Sequence, residues 1–153
     1  MSPSTPREAS TGVLPRDWAL PAIDGTNRAW FTSGALALQQ CAACNTLQHP
    51  PEEICHVCGS IRFVTRTVAP TGTVHSYTII HHAVHPALEA SVPYAVVLVA
   101  LDDVPEVRVV GNLLDAAMSE VVIGLPVEAV WEERPTDDDA VVLLPQWRRR
   151  RTP

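Results

Sequence analysis

Cys41, Cys44, Cys55 and Cys58 are the only cysteines of the chain, and they fall in the pattern C-x2-C-x10-C-x2-C. Two such turns a short loop apart can bring four thiolates to one tetrahedral centre. That is the geometry Zn2+ prefers, and four protein ligands leave no open position for a reaction. The spacing predicts a structural metal site of the zinc-ribbon type, with one Zn2+ per chain. Two disulfides would need an oxidising compartment, whereas residues 1–11 are polar and carry no apolar core of a secretory signal. A thioredoxin-like redox pair needs one C-x2-C beside a βαβ pattern, not two facing pairs. Iron stays open as the occupant, because tetrahedral sulfur sites suit both metals. His49 and His56 lie in the same segment. With four cysteines completing the shell, they are expected beside the metal or at the surface.

A second group with chemical potential is His81, His82 and His85, spaced H-H-x-x-H. It could hold another metal or serve as acid and base. It could equally be a solvated loop or one that faces a partner. Other chemistries are excluded by what the chain lacks. It contains no lysine, so Schiff-base catalysis and an ordinary P-loop are out. No Gly-x-Ser-x-Gly elbow is present, and no cysteine is left over as a nucleophile. The formal net charge of -6 disfavours a generic nucleic-acid binder, whose affinity comes from neutralising phosphates. Arg148 to Arg151 form the one cationic run, expected as a solvated tail or an anion and partner contact.

The elements that must position these groups can be read from periodicity. Residues 1–16 are rich in Ser, Thr and Pro and are expected to be an arm; Trp18, Leu20 and Ile23 then offer apolar docking groups. Asp24 or Thr26 should cap a short helix through Arg28, Trp30 and Phe31, which Gly34 ends. Ala35 to Gln40 reads as a strand leading into the first cysteine turn. Asn45 and Gly59 each follow the second cysteine of a pair, where positive φ lets backbone N–H groups curl toward sulfur. From Val68 the character becomes β. Strands are expected at Gly72–Ile80, Pro93–Leu101, Glu106–Leu113, Val127–Trp131 and Ala140–Leu144, with Gly111 as a bulge or bend. A helical turn at Asp115–Glu120 separates the third strand from the fourth. That order favours a five-stranded OB-fold barrel over a sandwich. The expected organisation is mainly β: an N-terminal arm and helix (1–34), a zinc ribbon (35–66), and an OB-fold with a basic C-terminal tail (67–153).

Taken in order, Trp30-Phe31, the Gly34 to Cys41 approach, the two cysteine pairs, Gly72 to Thr78, Pro93-Tyr94 and Ile123 to Glu128 resemble a known family. It comprises acyl-CoA-associated OB-fold proteins with a rubredoxin-like zinc ribbon. The resemblance runs from about Asp24 to Trp147. It implies a non-catalytic accessory subunit that binds and stabilises a thiolase-fold partner, a thiolase or a thiolase-like aldolase. The partner carries the catalytic residues, and the small subunit can help line the acyl-CoA entrance. Asn45 stands where the family more often has glycine, and the arginine run extends a C-terminus that usually ends sooner.

On this reading the chain is a cytoplasmic hetero-oligomer subunit in lipid or steroid degradation. The expected partner or acyl-CoA contacts are Trp18, Arg28, Trp30, Phe31, His81, Trp147 and Arg148; Trp and Arg are the usual anchors of interfaces. Core packing is the plain alternative for each tryptophan. With no lysine, acyl-CoA phosphates would have to meet arginine, with Arg62 and Arg66 as further candidates. Three other functions are weighed against it. A single-stranded nucleic-acid-binding OB module would stack bases on Tyr77, Tyr94 or Trp131. A stand-alone enzyme would use the histidine group. An electron carrier would hold iron in the ribbon.

Overall fold

The computed structural model describes residues 12–15, 17–136 and 140–151. Most of the expected N-terminal arm therefore lies outside the described residues. The first element is α1 (Arg28–Thr32), a helix of just over one turn. Asp24 Oδ1 accepts from the backbone N–H groups of Thr26 and Asn27 at 2.8 and 3.0 Å, and Gly34 leaves the helix at φ +66°. The N-cap falls on Asn27, whose side chain makes no cap bond, and not on Asp24 or Thr26; Asp24 instead holds the turn that precedes the helix, while Gly34 ends it as expected. Adjacent aromatics on so short a helix must diverge: Trp30 turns inward, while Phe31 is half-buried against the same core.

Three strands make the ribbon sheet: β1 (Leu36–Cys41), β2 (Leu47–Gln48) and β3 (Phe63–Val68), in the order β2-β1-β3. β1 and β3 run antiparallel from Leu36↔Val68 to Cys41↔Phe63. β3 is not foreseen from the sequence, and it straddles residue 66, where the ribbon was expected to end. Its four central residues are all exposed, so it carries no alternation for a pattern to find.

The remaining strands are β4 (Thr71–Ile80), β5 (Tyr94–Leu101), β6 (Arg108–Leu114), β7 (Pro126–Pro135) and β8 (Val141–Arg149). They close into a barrel in the order β4-β5-β6-β8-β7. All neighbours are antiparallel except β6 and β8, which pair in parallel at Leu113↔Trp147 and Leu114↔Arg148. β5 shows the strict alternation of a strand with one face on the core, with Ala95, Val97, Val99 and Leu101 fully buried. A 3-10 turn at Met118–Glu120 supplies the expected helical turn, and Met118 packs on the core.

Several expectations about the barrel need correction. Gly111 is not a bulge, because β5 and β6 stay in register through it. A Cβ there would lie 2.8 Å from Trp147 Cδ1, so the glycine makes room for the indole. The register shift falls instead between Val74 and Ser76. β8 runs to Arg149, well past the expected end at Leu144, so the first two arginines of the run belong to a strand and not to a tail. Pro145 hid this, because proline inside a run argues against a strand. Trp147 cannot stand exposed as an anchor: it is 0% exposed and fills the barrel. Trp30 is likewise buried at 6%. Ribbon and barrel share one apolar cluster, in which Trp30, Leu36, Leu38 and Val68 join Val74, Val97, Val127 and Trp147.

Candidate metal centre and partner surfaces

The two cysteine turns have matching backbones. Cys41 N–H donates to Thr46 O and Asn45 N–H to Cys41 O, both at 2.9 Å. Cys55 N–H donates to Ser60 O and Gly59 N–H to Cys55 O, again at 2.9 Å. Asn45 at φ 61° and Gly59 at φ 71° make the curl possible, as their residue types suggest. Ala43 N–H points at Cys41 Sγ at 3.4 Å, and the Thr46 hydroxyl lies 3.1 Å from Cys44 Sγ.

The four sulfurs lie within 4.8 Å of one another, with Cys41–Cys58 at 3.6 Å and Cys44–Cys55 at 3.7 Å. A tetrahedron with metal–sulfur bonds of about 2.3 Å has sulfur–sulfur edges of about 3.8 Å. The donor set therefore fits one Zn2+ per chain. Charge points the same way. The backbone N–H of Cys44, outweighing burial, draws the Cys41 thiol down to about 6, and the Thr46 hydroxyl lowers Cys44. Cys58 receives a lowering bond from Ser60 N–H, yet its three neighbouring thiols and burial push it up to about 12. Four sulfurs this close do not all ionise unaided, and a divalent cation at their centre removes the conflict.

A polar brace, not foreseen from the sequence, holds the second turn to the sheet. Gln39 and Gln48 sit opposite each other on β1 and β2. Gln48 Nε2 donates to Gln39 Oε1 at 2.7 Å; Gln39 Nε2 donates to Glu52 O at 2.7 Å, and Glu52 N–H returns to Gln39 Oε1 at 2.9 Å. His56 Nδ1 meets Gln48 Oε1 at 3.0 Å, so this histidine braces the knuckle that carries it. Glutamine at facing β positions was the available signal.

His49 takes no part in the sulfur cluster. Its ring rests on Trp30, with centroids 4.1 Å apart, and burial lowers its pKa to about 4. A depressed folded value means that the unfolded chain binds the proton first as pH falls. Stability is then complete above about 6.5 and is lost between about 6.5 and 4, on the order of 3 kcal/mol. His49→Phe should flatten that part of the curve in urea unfolding at several pH values. An unchanged slope would show that the ring titrates freely.

The expected partner contacts differ in exposure and in their neighbours. Trp18 is half-buried and meets His85 edge-on, with centroids 5.2 Å apart at 88°. Arg28, His81 and His82 are exposed. His85 Nδ1 accepts from Ala87 N–H at 3.1 Å. Among the described residues the only close group of potential metal ligands is the four cysteines, so the three histidines do not form a second site. Arg148, Arg149 and Arg150 each meet a carboxylate, of Glu128, Glu120 and Asp102 respectively, at 2.7, 3.0 and 2.9 Å. These exposed pairs add little stability.

A buried ionic group lies on the other face of β7 and β8. Val127, Ala129 and Trp147 point into the barrel, so Glu132, Arg134 and Gln146, on the opposite parity, point out of it. They are nevertheless 3 to 5% exposed. Residues 12–15 help cover them: Arg134 donates to Glu132 Oε1 at 2.7 Å, to Leu14 O at 3.2 Å and to Pro15 O. Gln146 Nε2 donates to Glu132 Oε2 at 3.1 Å, and its Oε1 accepts from Asn112 N–H at 2.7 Å. In the sequence this group shows only as opposite charges two residues apart, a pattern that solvated pairs share.

Comparison with known proteins bears on both halves of the chain. A family model described as the rubredoxin-like zinc ribbon domain of ChsH2 matches residues 32–63, and one described as the C-terminal OB-fold domain of ChsH2 matches residues 65–132. A probable enoyl-CoA hydratase alpha subunit of Thermomonospora curvata is 42% identical over 131 residues, which is 84% of this chain. The match spans only 39% of that relative's own length. A DUF35 domain-containing scaffold protein of Methanocaldococcus jannaschii is 30% identical over 105 residues, covering 67% of this chain and 72% of the relative. A solved chain described as Ltp2-ChsH2(DUF35) aldolase superposes with a TM-score of 0.69 at 41% identity, covering 85% of this chain and 98% of that one.

Proposed function

Because the chain belongs to the ChsH2-type (DUF35) family of zinc-ribbon and OB-fold proteins, we propose that it is the accessory subunit of a thiolase-fold catalytic partner acting on acyl-CoA thioesters. The observation that carries this reading is the 41% identity to a chain solved as part of an aldolase, over 98% of that chain. The site chemistry agrees. Four thiolates close around one metal, which would supply cross-linking and no reactive position. The residues of the chain then present a rigid ribbon and barrel to the partner, which performs the retro-aldol or thiolytic step.

In this role the subunit helps line the acyl-CoA entrance, works in the cytoplasm, and serves lipid or steroid breakdown. No helix among the described residues is long and apolar enough to cross a membrane. Arg28, Phe31, Trp18 and His81 remain available for partner or acyl-CoA contact. Arg148 engages Glu128 through Nε, and its side chain is exposed. Binding of single-stranded nucleic acid has less support, since three arginines of the cationic run are paired with carboxylates.

The test is co-expression with an Ltp2-type aldolase, followed by size-exclusion chromatography and an acyl-CoA cleavage assay. A stable complex, more active than the aldolase alone, is the expected result. Separate elution with no gain in activity would count against the accessory role.

A further inference from the structure

β3 is the outer strand of the ribbon sheet, and its second edge is bare. The sheet order ends at β3, and among the described residues no other backbone hydrogen bond reaches positions 64–67. Val64, Thr65, Arg66 and Thr67 are all exposed. Proteins normally blunt such an edge with proline, several charged side chains, a bulge or very short length. β3 has six residues, no proline, a single charge at Arg66, and an unbroken register with β1. Its residues Phe-Val-Thr-Arg-Thr-Val favour extended pairing. Exposed apolar groups stand at the same place, with Ile61 at 75% and Val64 at 52%.

From this we infer that the free edge of β3 is a docking strand, and that it receives an extended segment of the catalytic partner by strand addition. Backbone hydrogen bonds would supply the adhesion and alternate side chains the selectivity. Arg66 sets the charge of the occupant. It is the sole ionisable group of β3 and lies in no ion pair among the described residues. The fitting segment therefore carries a carboxylate opposite Arg66 and an apolar or β-branched residue against Val64. A second copy of this chain fits worse, since a facing β3 offers Arg66 no carboxylate and only another arginine.

This inference rests on the accessory-subunit reading, and its test separates the two. The zinc-loaded full chain is titrated with the Ltp2-type aldolase, and backbone amide exchange is followed with and without it. Two variants are compared with wild type: Val64→Lys and Arg66→Glu. Val110→Lys, at an exposed position of β6, is the control. Strand addition slows exchange, only in the complex, at the alternate amides within positions 64–67 that β1 leaves unbonded, and makes both variants bind at least about tenfold more weakly. Their zinc content and melting temperature should match wild type. Wild-type binding with unprotected β3 amides and unaffected variants would overturn the docking strand and leave the accessory role standing. No binding by wild type would overturn both. Self-association of the free chain that protects the same amides would assign the edge to a second copy instead.

Discussion

Cys41→Ser and Cys55→Ser should each yield a chain without stoichiometric zinc and without a folded ribbon. These cysteines are 0% and 2% exposed, so serine would put a hydroxyl into space shaped for sulfur as well as deleting a ligand. The ribbon has little else to hold it. β2 is two residues long, and the loop between the cysteine pairs is tied by little more than the glutamine brace and the contact of His49 with Trp30. Metal binding energy in such a module is folding energy, on the order of 10 kcal/mol or more at neutral pH. The damage should spread, because Leu36, Leu38 and Val68 belong to the barrel's apolar cluster. Zinc content, thermal melting and amide exchange over residues 36–68 measure the outcome, and a strong chelator on wild type should reproduce it. A metal-free variant that kept wild-type melting and exchange protection would show that the cysteines are ornamental to the fold. Cys44→Ser and Cys58→Ser should be milder in packing, since both face solvent, yet lose the metal all the same.

Arg134→Met should be the most damaging change remote from the metal. Among the described residues, Glu132 would stay buried with Gln146 Nε2 as its remaining donor and no countercharge. Breaking one side of a buried pair typically costs about 3–5 kcal/mol, most of it the penalty of the stranded charge. The same change removes the donors that hold the carbonyls of Leu14 and Pro15. Urea unfolding should show the loss, and exchange at residues 12–18 should rise. Adding Glu132→Leu to Arg134→Met should recover much of the stability without restoring the segment to its seat. If the single variant lost less than about 1 kcal/mol, the ion pair would not be the anchor.

How much could be read from the residues alone follows from how local each signal is. The cysteine turns are legible because metal spacing, Asn45 and Gly59 all act within a few residues. The alternation of Ala95 to Leu101 marks β5 for the same reason. The zinc ribbon, the OB barrel and the short helix were all expected in their observed order. What escaped depends on distant chain. β3 is defined by β1 alone and has no buried stripe. β8 continues through Pro145 and into arginines because β6 and β7 flank it. Trp30 and Trp147 looked available for partners only because nothing local says what covers them. Glu132 and Arg134 would pass for a solvated pair in any sequence; residues more than a hundred positions earlier help bury them.

That last separation has a consequence in time. Leu14 and the guanidinium that grips it are 120 residues apart. On a ribosome adding roughly 5–20 residues per second, residues 12–15 emerge some 6–24 s before their seat exists. The seat also needs Gln146, from the strand that closes the barrel. A segment made 120 residues earlier is therefore placed only once these strands exist, and until then the charges of Glu132 and Arg134 are open to water. Its docking reports that the barrel behind it has closed.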